Sequence, residues 1–367
     1  MRIVIKLGSN IITKNLHLDE ERISSIAGEV SELWKEGHEV VIVSSGAIAA
    51  GMGKLNLSEK PKEIEKKQAV AAVGQSALIW AYERAFSRFS LKVAQILLTA
   101  EDFADRKRYI NSRNTILTLL QLRITPIINE NDTVATDEIK FGDNDNLSAL
   151  VAGLIGAQRL FILSDVDGLY DKDPVIHRDA VLIKRLRAQD LNQKGILNMA
   201  GGSSTRVGTG GMYSKLLAAK KAGGYGIVVH IINGKKEGLV KKILQGDEIG
   251  TIIMPGEEKL SSRKGWIAFG SRAKGSLTID DGAVQAIKDM GKSLLPSGIV
   301  NVQGNFNIGD AVYCVDRKGI KIAKGLTNYS SSEIKKIKGK KSTEIEEILG
   351  YKYSDEIIHR DNLIILS

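Results

Sequence analysis

Arg2-Ile3-Val4-Ile5-Lys6-Leu7-Gly8-Ser9-Asn10 is the stretch of sequence that decides the expected fold. A run of branched apolar residues is typical of a strand buried on both faces, and the glycine ends it. Gly8 allows a ligand to approach the backbone closely, while Lys6 places a cation at the same point. The stretch therefore predicts a buried first strand whose carboxyl end can receive an anion.

Strand-like and helix-like segments alternate from this point to about residue 250. The predicted strands cover residues 2–6, 39–43, 93–98, 124–129, 160–163 and 227–232, and the predicted helices cover residues 19–36, 68–89, 106–122 and 146–157. Short apolar runs that alternate with helices favour an α/β fold, with an open, mostly parallel sheet sandwiched by helices.

The pattern changes after about Gly250, where turn residues become frequent and the predicted helices are short. The short strands expected in this part are residues 299–303, 311–315 and 320–323. We therefore predict an α/β domain over residues 1–255 and a small β-rich domain over residues 274–367. A linker over residues 256–273 is expected to join them.

The bulk composition excludes several classes of protein. With 43% hydrophobic and 26% charged residues, the chain has the composition of a globular protein rather than a disordered one. No apolar run approaches the roughly 20 residues that span a bilayer, and the apolar stretch at the start is too short for a signal peptide. The single cysteine, Cys314, suits a reducing compartment, so we expect a cytoplasmic protein with no membrane partner.

The net charge of +9 and the pI of about 9.3 raise the alternative of a nucleic-acid-binding protein. The excess is spread along the chain, because the residues from Ala273 onward carry 14 Lys and Arg against 12 Asp and Glu. The lysine-rich run at residues 335–341 is a local exception. Such a run is usually a solvated face, and a phosphate-binding patch is the less common interpretation.

Three glycine-containing turns lie where strands end or helices begin. Lys6-Leu7-Gly8-Ser9-Asn10 ends the first strand, Ser45-Gly46-Ala47 ends the second, and Gly208-Thr209-Gly210-Gly211-Met212-Tyr213-Ser214-Lys215 opens a helix. Backbone N–H groups at such places can bind phosphate oxygens, and Lys215 can reach a transferred group. A single turn is best explained as a cap, but three on one α/β sheet favour an anion site at the carboxyl ends of the strands.

The common nucleotide-binding motifs are missing. A Walker loop needs Gly-x-x-x-x-Gly-Lys-Ser/Thr, and Gly291-Lys292-Ser293 supplies only the end of it, because Ala286 stands at the first glycine position. No Gly-x-Gly-x-x-Gly pattern follows the first strand. A nucleotide-dependent enzyme with this sequence would therefore use another architecture.

Two runs rich in Asn and Asp are the most informative group. Asn129-Glu130-Asn131-Asp132 follows a strand, and Gly142-Asp143-Asn144-Asp145-Asn146 precedes a helix. The simpler interpretation is turns and caps, with Asp145 or Asn146 capping that helix. The functional alternative is an amino-acid pocket, since an ammonium group needs carboxylates and a carboxylate needs N–H and amide donors. A metal site is a third alternative, although magnesium sites usually recruit only one or two carboxylates.

Ser164-Asp165 ends the strand predicted at residues 160–163. A carboxylate at this point could pair with both Lys6 and Lys215 and orient them. Its simpler role is to cap a turn or a helix.

Taken together, these motifs resemble the amino acid kinase family, and the Gly-Asp-Asn-Asp-Asn run is similar to that of its glutamate kinase branch. The resemblance is carried by residues 4–9, 43–48, 129–132, 142–148 and 208–212. The tail resembles a PUA domain, a small β-rich pseudo-barrel found also in RNA-modifying enzymes, through residues 279–283, 293–299 and 302–310. The likeness covers nearly the whole chain, with Ser9 and Ser44 where threonine is often seen.

The resemblance implies that ATP phosphorylates the side-chain carboxylate of L-glutamate, the first step of proline biosynthesis, with Mg²⁺ bridging the ATP phosphates. The implied catalytic residues are Lys6, Lys215 and Asp165, with Asp165 holding both lysines in place. The implied substrate-binding residues are Ser45, Gly46, Asp132, Asp143, Asn144 and Asp145. The implied ATP-binding residues are Lys6, Gly8, Ser9, Ser164, Asp165, Thr209, Gly210, Gly211, Met212, Tyr213, Ser214 and Lys215, and no residue is assigned as a metal ligand.

Two other functions stay open at this stage. The first is a related acid kinase that acts on aspartate or N-acetylglutamate; an N-acetylated substrate has no ammonium group, so several aspartates in the pocket argue against it. The second is an RNA-binding protein that acts through the PUA domain, although the small charge excess of the tail argues against it. The resemblance further implies feedback inhibition by proline and a homo-oligomer, either a dimer or a tetramer.

Overall fold

The chain folds into two units, Met1–Lys259 and Leu260–Ser367, in the computed structural model. The structure describes residues 1–15, 17–135, 144–192, 211–256 and 260–366. The boundary between the units lies within the range predicted as a linker, residues 256–273. None of the helices among the described residues is both long enough and apolar enough to cross a membrane.

One mixed but mostly parallel sheet organises the first unit. In chain order the elements of this unit are β1 Arg2–Leu7, α1 Ser9–Ile12, β2 Thr13–Lys14, β3 His17–Leu18, α2 Glu20–Lys35, β4 Glu39–Ser44, α3 Ala47–Lys54, α4 Ile64–Ser87, β5 Lys92–Leu98, α5 Ala100–Ala104, α6 Arg106–Gln121, β6 Ile124–Glu130, α7 Asn144–Ile155, β7 Arg159–Ser164, β8 Arg185–Arg187, α8 Met212–Gly224, β9 Val228–Asn233, α9 Leu239–Leu244 and β10 Thr251–Met254. Over the described ranges, eight strands pair in the order β5-β6-β4-β1-β7-β9-β10-β8. Only the β9–β10 pair among them is antiparallel, which confirms the predicted α/β class.

Strand β1 lies in the interior of this sheet, as its unbroken apolar run predicts. It pairs in parallel with β4 on one side and β7 on the other. Ile3, Val4 and Leu7 are fully buried, because helices cover both faces of the sheet. Lys6 is the polar exception in the strand, and it is also buried.

Several elements of the first unit differ from the sequence prediction. Strands β2, β3, β8 and β10 were not predicted, because segments of two to four residues leave no clear periodicity. Helix α7 begins at Asn144 rather than at residue 146. Asp145 therefore lies in the first turn of α7 and does not cap it, which corrects the predicted capping role.

Helices α3 and α4 pack with their backbones in direct contact through two glycines. A Cβ atom added at Gly74 of α4 would overlap the carbonyl oxygen of Ala47, and one added at Gly51 of α3 would overlap that of Val70. Helix α3 begins directly after the turn at Ser45 and Gly46, so this contact joins that turn to α4. The packing of α4 thus helps to position one of the predicted anion-binding turns.

The second unit contains a smaller sheet. Its elements are α10 Ser262–Gly265, β11 Ala273–Ile279, α11 Asp281–Lys288, β12 Ile299–Gly304, β13 Ala311–Val315, β14 Lys321–Leu326, α12 Ser331–Ile337, α13 Ile345–Leu349 and β15 Leu363–Ile365. The strands pair in the order β12-β11-β13-β14-β15, and β11 runs parallel to β13 while the other pairs are antiparallel. Leu277, Val312, Tyr329 and Ile358 form part of a fully buried core. The predicted β-rich character of the tail is confirmed.

The glycine contact between α3 and α4 generates a stability prediction. Replacing Gly74 with Ala should lower the free energy of unfolding by about 1–3 kcal/mol, because the added methyl group forces the two backbones apart. Urea denaturation followed by circular dichroism measures the change. Ser76→Ala on the exposed face of α4 is the control, with an expected change below about 0.5 kcal/mol. Equal effects of the two substitutions would contradict the packing described here.

Candidate active site

The carboxyl ends of three neighbouring strands meet in the middle of the large sheet. Because β1 is parallel to both β4 and β7, Lys6 lies opposite Val43 on one side and Ile162 on the other. The turn after β4 follows at once, and Ser45 N donates a hydrogen bond to Leu7 O at 3.1 Å. Open α/β sheets bind ligands at this edge, so the strand ends mark the candidate site.

A buried cluster of three charged side chains lies at this edge. Lys6 Nζ is 2.5 Å from Asp145 Oδ1, and Lys215 Nζ is 3.3 Å from Asp145 Oδ2. Asp145 is fully buried, and the two lysines are 4% and 5% exposed. The structure therefore brings together two lysines that are far apart in the sequence, from β1 and from the first turn of α8.

Burial and charge act against each other within this cluster. Burial by itself would raise the pKa of Asp145, but the charges of Lys6 and Lys215, with hydrogen bonds from Lys6 and Ser214, hold that pKa below its usual value. Burial lowers the pKa of the Lys215 amine; the Asp145 carboxylate opposes this, and repulsion by Lys6 adds to it. With all three groups ionised, one carboxylate faces two cations, so these three side chains carry a net positive charge.

Ser214 ties the start of helix α8 to the same carboxylate. Its hydroxyl donates to Asp145 Oδ2 at 2.7 Å and lies 2.8 Å from Gly211 O. Further along the same two helices, Lys221 Nζ of α8 donates to Asn146 Oδ1 of α7. Helices α7 and α8 are thereby held together where Lys215 enters the cluster.

The carboxylate that pairs with both lysines is that of Asp145, which corrects the role predicted for Asp165. Asp165 instead accepts hydrogen bonds from Asn10 Nδ2 at 3.3 Å and from Ser164 Oγ at 3.2 Å. Burial raises its pKa, but those bonds and the nearby Lys215 charge outweigh burial and lower it. The helix start explains the difference, because the first turn of α7 brings Asp145 between the lysines while Asp165 stays exposed at the end of β7.

Asp145 is also one of the predicted substrate-binding residues, and that role stays a prediction. Its carboxylate is fully buried and is shared by Lys6, Lys215 and Ser214. A substrate ammonium group would have to displace one of these partners. These contacts favour a role for Asp145 in positioning the two lysines.

Asn144 forms a second polar group beside the charged cluster. Its Nδ2 donates to Ser44 O at 3.0 Å, to Ser45 Oγ at 2.9 Å and to Asn129 Oδ1 at 2.9 Å. Asn144 Oδ1 and Asn129 Nδ2 are buried and have no hydrogen-bond partner among the described residues. A buried donor and a buried acceptor are thus left without partners next to Ser45, an arrangement that is costly unless a ligand or water satisfies them.

Two further residues support the strand ends, although neither is among the individually predicted site residues. Tyr82 of α4 is buried, and its hydroxyl lies 2.8 Å from Ser44 Oγ. Asn129, at the end of β6, accepts the amide of Asn144. A signal for Asn129 was present, since it opens the Asn-Glu-Asn-Asp run after a strand. No local signal marks Tyr82, because its contact depends on how α4 packs.

Asp132 is half-buried just beyond β6, and it has a perturbed acidity. Burial raises the pKa of its carboxyl group to about 6. The group therefore changes charge in a pH range where Asp145 and Asp165, whose pKa values are lowered, stay ionised. A nearby cation would favour its charged form.

The predicted glycines Gly46 and Gly8 differ in whether the fold requires a glycine at that position. Gly46 has φ +100°, and a Cβ atom there would meet Ile12 Cδ1 at 2.9 Å, so the turn before α3 needs glycine. Gly8 has ordinary φ and ψ, and a Cβ atom there would have only ordinary contacts, the nearest 3.6 Å from Leu163 O. The fold therefore tolerates alanine at residue 8, and a requirement for glycine there would come from a ligand.

The remaining predicted residues fall into two groups. The first group lies within the described ranges. Ser164 is buried at the end of β7, and Ser9 is exposed at the start of α1. Helix α8 begins with Gly211, Met212 and Tyr213. Three of the predicted site residues lie outside the described ranges: Asp143, Thr209 and Gly210.

The shared carboxylate leads to a stability prediction with a defined pH dependence. Asp145→Asn should lower the free energy of unfolding at pH 7 by about 3–5 kcal/mol, because two buried cations lose their anion. Since the folded pKa of Asp145 is depressed, its contribution exists above its unfolded pKa of about 3.9 and disappears as pH falls through the lower, folded pKa. Urea denaturation from pH 7 downward measures both effects. Asp165→Asn is the matched control, and it should lower the free energy of unfolding by less than about 1 kcal/mol. If Asp165→Asn lowered it more than Asp145→Asn, Asp165 would be the carboxylate that orients the lysines.

Two family models match parts of this chain. The family model described as the amino acid kinase family matches residues 1–233, and the PUA domain model matches residues 275–349. Among solved structures, a UMP kinase from Bacillus anthracis aligns with a TM-score of 0.47 and 16% identity, over 71% of this chain and 97% of that chain. A similarity at that level supports no conclusion about this protein.

Curated relatives are similar over the whole chain. Glutamate 5-kinases from Caldanaerobacter subterraneus and Thermoanaerobacter pseudethanolicus are each 51% identical, and the alignments cover 100% of this chain and 98% of each relative. The glutamate 5-kinase of Geobacter sulfurreducens is 51% identical, over 100% of this chain and 97% of the relative. With a family model over more than half of its length and relatives of this identity, the chain belongs to the amino acid kinase family.

Proposed function

We propose that this protein transfers the γ-phosphoryl group of ATP to the side-chain carboxylate of L-glutamate, giving glutamyl 5-phosphate and ADP, the first step of proline biosynthesis. The observation that carries the proposal is the convergence of Lys6 and Lys215 on Asp145 at the carboxyl ends of the strands. The names of the full-length relatives, glutamate 5-kinase, support the choice of substrate.

The reaction needs positive charge more than it needs a base. A side-chain carboxylate has a pKa of about 4.3, so the nucleophile is already ionised at neutral pH. One of its oxygens bonds to the γ-phosphorus while the bond to the bridging oxygen of ADP breaks, and no proton has to be removed. The difficulty is to bring an anion to a polyanion and to stabilise the negative charge on the transferred group.

The two lysines supply that charge in a fixed arrangement. Asp145 and Ser214 hold the cluster in place, so the amines need little reorganisation when the reaction occurs. The cluster keeps a net positive charge, which a transferred phosphoryl group would compensate. In this proposal Lys6 and Lys215 are the catalytic residues and Asp145 is a positioning residue.

Histidine chemistry has no part in the proposal. His230 lies within the sheet on β9, stacked on Phe161 with ring centroids 4.7 Å apart. Burial lowers the pKa of His230 to about 3, with a further contribution from Arg159, whose Nη1 is 2.7 Å from Nε2. The ring is neutral and structural.

The glutamate pocket is proposed beside Asn144, Ser45 and Asp132. An amino-acid zwitterion brings an acceptor, its carboxylate, and a donor, its ammonium group. Asn129 Nδ2 and Asn144 Oδ1 are a buried donor and acceptor without partners in the described part of the chain. Asp132 would attract the ammonium group when ionised. Gly46 and Asp143 complete the proposed set.

ATP is proposed to bind across the neighbouring strand ends. The backbone at Gly8, Ser9 and Gly211 would donate to phosphate oxygens, together with residues 209–210. Ser164 and residues 212–214 would border the nucleotide. Mg²⁺, when bound, would neutralise part of the charge on the ATP phosphates. Asp165 fits a role near that ion, since it is an exposed carboxylate with a depressed pKa, and magnesium sites need only one or two such groups.

Regulation, assembly and location are parts of the same proposal. Proline shares the α-carboxylate and an α-nitrogen cation with glutamate, so we propose that it inhibits by competing for the pocket.

A homo-oligomer is proposed through exposed apolar side chains such as Trp80 and Leu122, which are 55% and 63% exposed. A cytoplasmic location suits Cys314, a buried thiol whose pKa burial raises to about 12.

A substrate panel separates this function from its relatives. Glutamate, aspartate and N-acetylglutamate are compared in a coupled assay that follows ADP release. The proposal expects kcat/KM to be highest for glutamate, and a preference for N-acetylglutamate would reject the ammonium-binding role of Asp132.

The lysine cluster generates the first activity prediction. Lys6→Ala and Lys215→Ala should each lower kcat by at least about 100-fold, because each removes a preorganised charge contact to the transferred group. Lys220→Ala, an exposed lysine on the same helix as Lys215, is the matched control and should change kcat by less than about twofold. A Lys6→Ala enzyme with near-normal turnover would reject the assignment.

The acidity of Asp132 generates the second activity prediction. Because its pKa is raised to about 6 and the ionised form attracts the ammonium group, kcat/KM for glutamate should fall as pH decreases through about 6. Asp132→Asn should lower kcat/KM at pH 7 and remove this acid limb. A pH profile in which the variant keeps the limb would show that another group titrates there.

A further inference from the structure

A chain of two hydroxyl groups links helix α4 to the turn that follows β4. The Tyr82 hydroxyl lies 2.8 Å from Ser44 Oγ, and Ser44 Oγ donates to Ser45 O at 3.0 Å. Tyr82 and Ser44 are both fully buried. Because a serine hydroxyl has one proton and a carbonyl oxygen can only accept, the Ser44 proton is used at Ser45 O. The hydrogen bonds therefore run in one direction, from Tyr82 to Ser44 and from Ser44 to Ser45 O.

The phenol at the start of this chain is a neutral donor in a fixed position. Burial raises the pKa of the Tyr82 hydroxyl well above its usual value, and the hydrogen bond with Ser44 opposes this only in part. The Tyr82 ring packs near Phe86, with ring centroids 6.2 Å apart. About two turns earlier on α4, there is no room for a Cβ atom between Gly74 and Ala47 O. The backbone contact and the ring packing together fix Tyr82 relative to α3.

The chain ends on one peptide group, that between Ser45 and Gly46. In a trans peptide the carbonyl and the N–H group point in opposite directions. Ser45 O is held towards the buried Ser44 hydroxyl, so Gly46 N–H points away from that hydroxyl. Within the described ranges, Gly46 N donates no hydrogen bond to another group of the protein. The hydroxyl chain therefore orients a backbone donor that is available to a ligand.

This donor adjoins the unsatisfied groups of the proposed glutamate pocket. Asn144 Nδ2 donates to Ser44 O at 3.0 Å and to Ser45 Oγ at 2.9 Å. Asn144 and Asn129 are 8% and 4% exposed, and Asn144 Oδ1 and Asn129 Nδ2 have no hydrogen-bond partner among the described residues. Leaving such groups unsatisfied is costly unless a ligand or water binds them. A carboxylate bound beside this turn would accept from Asn129 Nδ2 and from Gly46 N–H.

We propose that Tyr82 is a positioning residue for the substrate: through Ser44 it fixes the Ser45–Gly46 peptide so that Gly46 N–H donates to the α-carboxylate of glutamate. This inference rests on the proposed function, and it adds a residue that does not touch the substrate. The turns after β4 and β6 lie on the opposite side of β1 from β7 and β9. The lysine cluster serves the reacting end of glutamate, so the neutral donors after β4 and β6 are assigned to the carboxylate that does not react.

Steady-state kinetics of the full chain, with glutamate and ATP varied separately, test the proposal. Tyr82→Phe removes only the phenolic hydroxyl, and Ser44→Ala removes the next group of the chain. Each substitution should raise KM for glutamate at least about fivefold, because an oriented donor to a charged group is lost. KM for ATP and kcat should each stay within about twofold, since the lost contact is made to a part of the substrate that does not react.

Two controls separate positioning from stability. Ser44→Thr keeps the hydroxyl and should restore a KM for glutamate close to that of the wild-type enzyme. Tyr329→Phe removes another fully buried hydroxyl, which donates to Ser354 O in the second unit, and it should leave this KM unchanged. An equal rise of KM in Tyr329→Phe and Tyr82→Phe would show a general loss of stability and would overturn the proposal. Circular dichroism checks that each variant is folded, and the Ser44→Ala and Ser44→Thr pair gives the same comparison if Tyr82→Phe does not fold.

The double variant tests whether the two hydroxyls act as one chain. Tyr82→Phe with Ser44→Ala should raise KM for glutamate no more than about twofold beyond Ser44→Ala alone, because both substitutions break the same chain. Two effects that multiply would overturn the proposal. A Tyr82→Phe enzyme that phosphorylates glutamate with the wild-type KM would overturn this inference alone. A wild-type protein that does not phosphorylate glutamate would instead reject the proposed function, and this inference with it.

Discussion

Two buried lysines that share one carboxylate are the interaction on which the rest of the structure depends. Like charges repel strongly in a buried site, and the Asp145 carboxylate between Lys6 and Lys215 offsets that repulsion. The carboxylate compensates one of the two charges. The remaining positive charge is held in place by the fold, and in the proposed mechanism the transferred phosphoryl group compensates it.

The fold places these groups by simple topology. Parallel strands end at one edge of the sheet, and the helix that follows a strand begins at that same edge. Strand β1 therefore brings Lys6 to the edge, while the first turns of α7 and α8 bring Asp145 and Lys215 to the same point. The glycine contact between α3 and α4 adds the Ser45 turn to this arrangement.

The sequence predicted the sheet and the meeting of the two lysines, because long apolar runs and glycine-containing turns are local signals. It did not predict which carboxylate joins them. That choice depends on the start of α7, and a shift of two residues moves Asp145 from a cap into the first turn. The role of Tyr82 and the strands β8 and β10 also depend on tertiary packing, which short segments do not reveal.

A crystal structure of the protein with ADP, aluminium fluoride and glutamate would test the central claim most directly. The planar fluoride group imitates the phosphoryl group during transfer. We expect it between the two lysines, with both Nζ atoms about 2.7–3.1 Å from fluorine atoms and Asp145 still bound to both amines. A fluoride group that contacts neither lysine, or only one while the other stays buried against Asp145, would contradict the account.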